Sequence, residues 1–123
     1  MSRKEYTVRV HTNGTKKWYI NGKRHREHGP AVERADGTKS WWINGKTHRE
    51  DGPAIEWADG TKSWGINGKL HREDGPAIEW ADGTKSWWIN GKILTEKEFN
   101  NLQETCHGKE VVIDGKTYVL TLK

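Results

Sequence analysis

The chain is built from a 23-residue unit that recurs without interruption. The complete units span residues 18–40, 41–63 and 64–86, and a partial fourth unit spans residues 87–92. A fixed period of this length is the signature of a repeat array, in which each unit packs on its neighbours. A catalytic centre usually occurs once in a chain, whereas the segment His-Arg-Glu-(His/Asp)-Gly-Pro-Ala occurs in all three complete units. We therefore predict a protein that is not an enzyme and that needs no cofactor.

The composition favours a thin array over a thick globule. Of the 123 residues, 32% are apolar, well below the ~45–50% of ordinary globular domains. Eight tryptophans are nevertheless present, and an aromatic side chain buries roughly 150–250 Å². Large rings that recur in register can therefore replace the many aliphatic side chains of an ordinary core. We predict a single domain over residues 1–123.

Cysteine usage and the N-terminus indicate the compartment. Cys106 is the only cysteine, so no disulfide can form within the chain, as is typical of a reducing cytosol. No apolar stretch is long enough to span a membrane, and residues 1–5 lack the apolar core of a signal peptide. We predict a cytoplasmic location, which is the host cytoplasm if the protein is viral.

Asn-Gly and Asp-Gly dipeptides alternate along the chain and predict a series of tight hairpins. They are Asn13-Gly14, Asn21-Gly22, Asp36-Gly37, Asn44-Gly45, Asp59-Gly60, Asn67-Gly68, Asp82-Gly83 and Asn90-Gly91. Both dipeptides suit the two-residue type I′ turn, which needs positive φ at both central residues. Such a turn at Asp59-Gly60 places Trp57 opposite Lys62 and Ile55 opposite Trp64. We therefore expect these tryptophans and Ile55 to share the packed face, with Lys62 stacked on Trp57.

The pattern changes after the array. Thr95 and Glu98 have the spacing of a capping box, and Leu94 and Phe99 have that of a hydrophobic staple, so a helix is predicted from about residue 96 to residue 105. Asp114-Gly115 predicts a final hairpin, whose apolar face would hold Val111, Ile113, Tyr118, Leu120 and Leu122.

The predicted fold is all-β: a single-sheet β-hairpin repeat array with a C-terminal α-helix and β-hairpin cap. Residues 1–17 would form an N-terminal capping strand, residues 18–92 three and a half repeats, and residues 93–123 the helix and hairpin cap. A capping element is expected at each end because an array must cover its open edges.

An aromatic pair, one residue and then Asn-Gly recur in the units. This element is Trp18-Tyr19-Ile20-Asn21-Gly22 in the first unit, and it recurs at residues 41–45 and 87–91. With the 23-residue period, it resembles the MORN repeat, particularly its bacterial variant. Gly65 departs from the pattern by replacing the second aromatic residue. The His-Arg-Glu-Asp-Gly-Pro segment is similar to units of phage and large-virus proteins. The resemblance implies a hairpin array that contacts proteins or lipids and has no enzymatic activity.

The repeated loops supply the first candidate site. Their histidines and arginines should stack at one repeat spacing: His25, His48, His71, Arg26, Arg49 and Arg72. Two strands per unit give roughly 10 Å between equivalents, which is too far for the histidines to share a metal ion. The arginines could grip phosphates or carboxylates bidentately. The alternative is a structural loop in which Asp51 caps amide groups and Gly52 takes positive φ.

The second candidate site contains both positions at which units two and three differ. It is a cross-strand pair that flanks each Asn-Gly turn: Tyr19 and Arg24, Trp42 and Thr47, Gly65 and Leu70, and Trp88 and Ile93. Gly65 would leave a notch between Trp42 and Trp88 that could receive a side chain or a base from a partner. Variation on a tolerant surface is the alternative.

The third candidate site is the basic N-terminal end. Residues 1–17 carry five basic residues and one acidic residue within a chain of net charge +4. The predicted register places Arg34 opposite Lys39, a destabilising pair that an anionic partner would relieve. Arg9, Lys16 and Trp18 should project from the same face, and basic groups interleaved with aromatic rings suit single-stranded nucleic acid.

These observations favour a non-catalytic binding module. We expect a protein partner, with Trp42, Trp88 and Tyr19 as anchors, because aromatic residues dominate binding hot spots. The family resemblance suggests a small phage or viral protein that blocks a host protein, for example a defence nuclease complex. A nucleic-acid or nucleotide binder and a lipid-surface module are the alternatives. A monomer and a homodimer are both compatible with the sequence.

Overall fold

The computed structural model describes residues 5–105, 110–113 and 116–119. The strands are β1 Thr7–Val10, β2 Lys16–Ile20, β3 Lys23–Arg24, β4 Val32–Glu33, β5 Lys39–Ser40, β6 Trp42–Ile43, β7 Lys46–Thr47, β8 Ile55–Glu56, β9 Lys62–Ser63, β10 Gly65–Ile66, β11 Lys69–Leu70, β12 Ile78–Glu79, β13 Lys85–Ile89, β14 Lys92–Leu94, β15 Glu110–Ile113 and β16 Lys116–Val119. One helix, α1 Glu96–Thr105, follows β14. The prediction of an all-β array with a C-terminal helix is confirmed. In the described part of the chain, no helix is long and apolar enough to cross a membrane.

The two dipeptides form two different turns. Asn44 and Gly45 both have positive φ, 51° and 80°, as a type I′ turn requires. At the Asp-Gly turns only the glycine has positive φ, and Gly60 has a φ of 96°. There Gly60 N–H donates to the Trp57 carbonyl (3.0 Å) and Trp57 N–H donates to the Thr61 carbonyl (2.9 Å). The Asp-Gly hairpin is therefore a three-residue loop, a type I turn followed by a glycine bulge.

The extra loop residue shifts the hairpin register by one position. Glu56 lies opposite Lys62, and Ile55 lies opposite Ser63. The prediction that Trp57 faces Lys62 was wrong, because a one-residue slip sends every side chain to the other face of the sheet. Trp57 instead closes the loop and is 40% exposed.

The Asp-Gly hairpins build the main sheet, which is antiparallel and ten-stranded, in the order β1-β2-β4-β5-β8-β9-β12-β13-β14 with β3 paired to β2. One row of side chains crosses this sheet with alternating charge. It runs through Lys16, Glu33, Lys39, Glu56, Lys62, Glu79 and Lys85. Opposite charges on directly paired residues favour a pairing, so the order of charges in this row is compatible with the observed register.

The Asn-Gly hairpins form a second row beside the main sheet. Hairpins β6-β7 and β10-β11 are separate two-stranded sheets, so the strands do not form the single sheet that the sequence predicted. Backbone hydrogen bonds join this row: Gly45 N–H to the Arg24 carbonyl, Gly68 N–H to the Thr47 carbonyl and Gly91 N–H to the Leu70 carbonyl, each 2.8 Å. The array is therefore two parallel rows of hairpins.

The first tryptophan of each unit joins the two rows. Trp41 N–H donates to the Ala54 carbonyl (2.7 Å) in the main-sheet row, and the Trp41 carbonyl accepts from His48 N–H (3.0 Å) in the hairpin row. Fully buried alanines mark the junction, and they are Ala31, Ala54 and Ala77. A small side chain is needed there because the two rows approach closely.

The N-terminal segment is a degenerate half unit. Asn13-Gly14 forms the bulged turn of the Asp-Gly type, since Gly14 has a φ of 96° and His11 N–H donates to the Thr15 carbonyl (2.8 Å). The sequence did not distinguish it from the type I′ Asn-Gly turns. Strand β1 pairs with β2 along its whole length and lies at the end of the main sheet.

The helix begins where the sequence predicted. Thr95 N–H donates to Glu98 Oε1 (2.8 Å), and Glu98 N–H donates to Thr95 Oγ1 (3.0 Å), which is a capping box. Leu94, Phe99 and Ile89 form a buried apolar cluster that fixes the helix on the last Asn-Gly hairpin.

The final hairpin pairs β15 with β16, with Val111 opposite Tyr118 and Ile113 opposite Lys116. Asp114-Gly115, Leu120, Leu122 and Cys106 lie outside the described residues.

Candidate functional site

The loop arginines are held by their own units. In unit two, the guanidinium carbon of Arg49 lies 3.8 Å from the centroid of the Trp41 ring. Its Nη1 donates to the Pro53 carbonyl (3.1 Å) and to Glu56 Oε2 (3.0 Å), and its Nε donates to Asp51 Oδ1 (3.0 Å). Units one and three repeat the stack and the Nη1 bonds with Arg26 on Trp18 and Arg72 on Trp64.

This arrangement reduces how much of each loop arginine is available to a phosphate or a carboxylate of a partner. The Arg49 side chain is 22% exposed, and its stacked face and bonded nitrogens are committed within the unit. The loop glycine is explained by the same contact, because a Cβ on Gly52 would lie 2.9 Å from the Arg49 Cζ. The predicted positive φ at Gly52 was wrong: among these glycines only Gly29, at 152°, has one. The predicted role of Asp51 as an amide cap was also wrong, since its carboxylate accepts a hydrogen bond from Arg49 Nε.

The loop histidines connect adjacent units. Asn67 N–H donates to His48 Nδ1 at 3.1 Å, and the equivalent bonds are Asn44 to His25 (3.0 Å) and Asn90 to His71 (2.8 Å). A ring nitrogen that accepts a hydrogen bond carries no proton, so these rings are held as the Nε2–H tautomer. Within the described residues, no three His, Cys, Asp or Glu side chains are grouped so that they could hold a metal ion.

The variable cross-strand pairs occur where the sequence predicted them. Trp42 lies opposite Thr47, Gly65 opposite Leu70, Trp88 opposite Ile93 and Tyr19 opposite Arg24. These eight residues form one strip along the hairpin row, which we call the variable face. Because neighbouring residues in a strand point to opposite sides, Trp41 and His48 lie on the other side, which we call the loop face. Arg49 lies there too, because it stacks on Trp41.

The two tryptophans of the variable face are fixed by the main sheet. Trp42 Nε1 donates to Ser40 Oγ (2.7 Å), and Trp88 Nε1 donates to Ser86 Oγ (2.8 Å). Arg24 of the preceding hairpin lies 5.0 Å from the Trp42 ring. Both residues are half-buried, so part of each side chain stays exposed to solvent.

Gly65 interrupts the strip. It is buried, and a Cβ there would lie 3.5 Å from Ala54 Cβ and 3.6 Å from Thr47 Oγ1, which is ordinary contact distance. A Cβ atom therefore fits at this position. Because Gly65 has no side chain, no indole extends over Ser63 as Trp42 does over Ser40.

The basic pair predicted at the N-terminal end does not form. Lys39 lies opposite Glu33 on one side and Glu56 on the other, because the bulged turn shifts the register. Arg34 instead closes the turn, and its backbone N–H donates a hydrogen bond to the Thr38 carbonyl (2.8 Å). Arg34 and Lys39 are therefore not paired, and the predicted reason for an anionic partner, relief of their repulsion, no longer applies.

Two turn carboxylates have altered acidity. The hydrogen bonds from the backbone N–H and the hydroxyl of Thr38 hold the pKa of Asp36 below its usual value. At Asp82 the hydroxyl of Thr84, followed by its N–H, lowers the pKa in the same way. Hydrogen bonds to the ionised form favour that form.

Sequence reasoning missed a second aromatic edge. Trp57 and Trp80, at the bulged turns, are 40% and 41% exposed, although the predicted register placed Trp57 on the packed face. The bulge could be foreseen from the Ala-Asp-Gly sequence of these loops, since a three-residue hairpin commonly ends in glycine.

The chain matches no protein-family model, no curated protein and no solved structure. The resemblance to MORN repeats therefore stays a prediction.

Proposed function

We propose that the protein is a non-catalytic module that binds another protein through the variable face, with Trp42, Trp88 and Tyr19 as anchors. The observation that carries this proposal is the position of the differences between units two and three. The two units are otherwise identical, and both differences fall on one cross-strand pair of this face. A scaffold that is constant except along one strip suits a surface on which recognition is tuned.

The chemistry of the strip supports a protein partner. The variable face combines half-buried aromatic rings with Arg24, Thr47 and Ile93, and Ile93 is 62% exposed. Aromatic residues and arginine are enriched at protein interfaces. The loop arginines, which the nucleic-acid alternative needs, are bonded within their units. We extend the proposal to a cytoplasmic phage or viral protein that blocks a host protein, on the family resemblance alone.

The test is capture of partners from a host lysate by the Trp42→Ala/Trp88→Ala double variant and by the unchanged protein. The matched control is Trp57→Ala/Trp80→Ala, which removes two exposed tryptophans from the opposite edge. We expect the first variant to lose the co-eluting protein and the control to retain it, with circular dichroism confirming that both are folded. Retention by the first variant, or loss of the partner after nuclease treatment, would contradict the proposal.

A further inference from the structure

The space in front of the loop histidine differs between units. In unit two it is an open cleft of about 820 Å³ that includes Trp41, Ile43 and His48 in its lining. In unit three the equivalent cleft, at Trp64 and His71, measures about 640 Å³. These clefts lie on the loop face, opposite the strip to which the proposed function is assigned.

In unit one the same space is filled by the protein's own Tyr6. Its ring centroid lies 6.4 Å from that of His25, at an angle of 46°. The Tyr6 hydroxyl accepts a hydrogen bond from Glu27 N–H at 3.3 Å. The remaining space beside Tyr6 measures only about 200 Å³.

The effect of Tyr6 is visible in the burial of the histidines. The His25 side chain is 7% exposed, whereas those of His48 and His71 are 19% and 21% exposed. The three histidines have the same place in the repeat and the same bond to the next unit. The difference in exposure therefore comes from what covers the ring.

We propose that the clefts of units two and three each receive a tyrosine side chain from a partner protein, as unit one receives Tyr6. The ring would pack on His48 or His71. In unit two the phenol oxygen would accept from Glu50 N–H, the counterpart of Glu27 N–H. This inference rests on the protein-binding role proposed above but assigns it a second contact on the opposite face.

The distance between the two clefts indicates which backbone conformation the partner segment should have. Equivalent points in adjacent units are roughly 10 Å apart, since each unit adds two strands to the main sheet. A polyproline II helix repeats every three residues with a rise of about 3.1 Å per residue, or about 9.3 Å per turn. Tyrosines at positions i and i+3 of such a segment face the same side at the required distance. In a β-strand they would point to opposite sides.

The charge at the cleft rims indicates which residues should lie between the two tyrosines of the partner segment. The side chains of Glu50 and Asp51 are 84% and 88% exposed, and those of Glu73 and Asp74 are 56% and 64% exposed. Asp51 and Asp74 pair with the neighbouring arginines, but each loop carries two carboxylates against one arginine, so the charge at the rims is net negative. The partner segment is therefore proline-rich and basic, of the form Tyr-x-x-Tyr with lysine or arginine between.

The test is an NMR titration of the ¹⁵N-labelled full chain with the synthetic peptide Tyr-Lys-Pro-Tyr-Lys-Pro. We expect saturable shifts at the backbone amides of His48, Glu50 and His71. The same peptide with phenylalanine for tyrosine should bind more weakly by about threefold to tenfold for each occupied cleft, because it lacks one hydrogen-bonding hydroxyl per cleft. Absence of saturable shifts at millimolar peptide, or shifts confined to residues outside the clefts, would overturn the proposal.

Two variants sharpen the test. Tyr6→Ala should open the first cleft and add a peptide-induced shift at the Glu27 amide, whereas Tyr6→Phe should leave that cleft filled. The Trp42→Ala/Trp88→Ala variant should bind the peptide as the unchanged protein does, and loss of peptide binding in it would count against the clefts as the site. Because host-partner capture by that variant is measured separately, failure of the proposed function and failure of this inference give different results.

Discussion

The guanidinium carbon of Arg49 lies over the indole of Trp41, 3.8 Å from the ring centroid. The same guanidinium donates to the Pro53 carbonyl in the loop and to Glu56 in β8, so one side chain ties the hairpin row, the irregular loop and the main sheet together. The residues repeat at 23-residue intervals, and the contact repeats with them. This explains how a chain with few aliphatic residues holds an ordered array.

Arg49→Ala should lower the free energy of unfolding by about 2–3 kcal/mol, because a stacked cation and three hydrogen bonds are lost. Arg49→Lys should recover only part of this, since a lysine cannot reproduce the planar fork. Arg34→Ala, at an exposed turn, should stay within about 0.5 kcal/mol of the unchanged protein. Urea unfolding measures all three, and equal losses for Arg34→Ala and Arg49→Ala would contradict the assigned role.

Two glycine substitutions should have opposite signs. Gly65→Ala should stabilise the protein by about 0.4–1 kcal/mol, because the Cβ has ordinary contact distances and alanine reduces the entropy of the unfolded chain. Gly52→Ala should cost about 1–3 kcal/mol, because its Cβ would displace the Arg49 guanidinium. Thermal unfolding of the two variants gives the comparison, and destabilisation by Gly65→Ala would show that the gap in the aromatic strip is closed in solution.

His48→Ala should speed amide exchange at Asn67. The Asn67 N–H loses its bond to His48 Nδ1, so protection at that amide should fall about fivefold, as for the loss of one ordinary hydrogen bond. The Asn44 amide, which donates to His25, serves as an internal control. Equal acceleration at both amides would indicate general loosening instead of a local contact.

The lowered pKa values of Asp36 and Asp82 lead us to expect that the protein loses stability in acid. Their folded-state pKa values lie below the ordinary value of 3.8, so the ionised forms stabilise the folded protein above that value. The contribution falls as pH drops through the folded pKa values. Asp36→Asn and Asp82→Asn should therefore flatten the loss of stability between about pH 5 and pH 2.

Asn13 provides the precedent for these substitutions, since its side-chain oxygen already accepts from Thr15 N–H at 2.9 Å. The turns should therefore still form in both variants. An unchanged acid profile, measured by urea unfolding at each pH, would exclude Asp36 and Asp82 as a source of the dependence.

The helix and the variable pairs could be read from the sequence because each depends on local spacing. Thr95 and Glu98 are three residues apart, and a two-residue Asn-Gly turn fixes which residues face each other. The bulged Asp-Gly turn was misread because the dipeptide alone does not show how many residues close the loop. That single residue moved Trp57 out of the packed face and placed Glu33 instead of Arg34 opposite Lys39.

The sequence by itself determined the period, the all-β class, the C-terminal helix and the strip on which units two and three differ. Those features follow from local turn geometry and from the identity of the units. Only the tertiary structure decided that the hairpins form two rows, that the loop arginines stack on tryptophan and that Tyr6 fills the cleft which units two and three leave open. These depend on contacts between residues far apart in the chain, such as Tyr6 and His25, whose geometry is set by packing and not by sequence spacing.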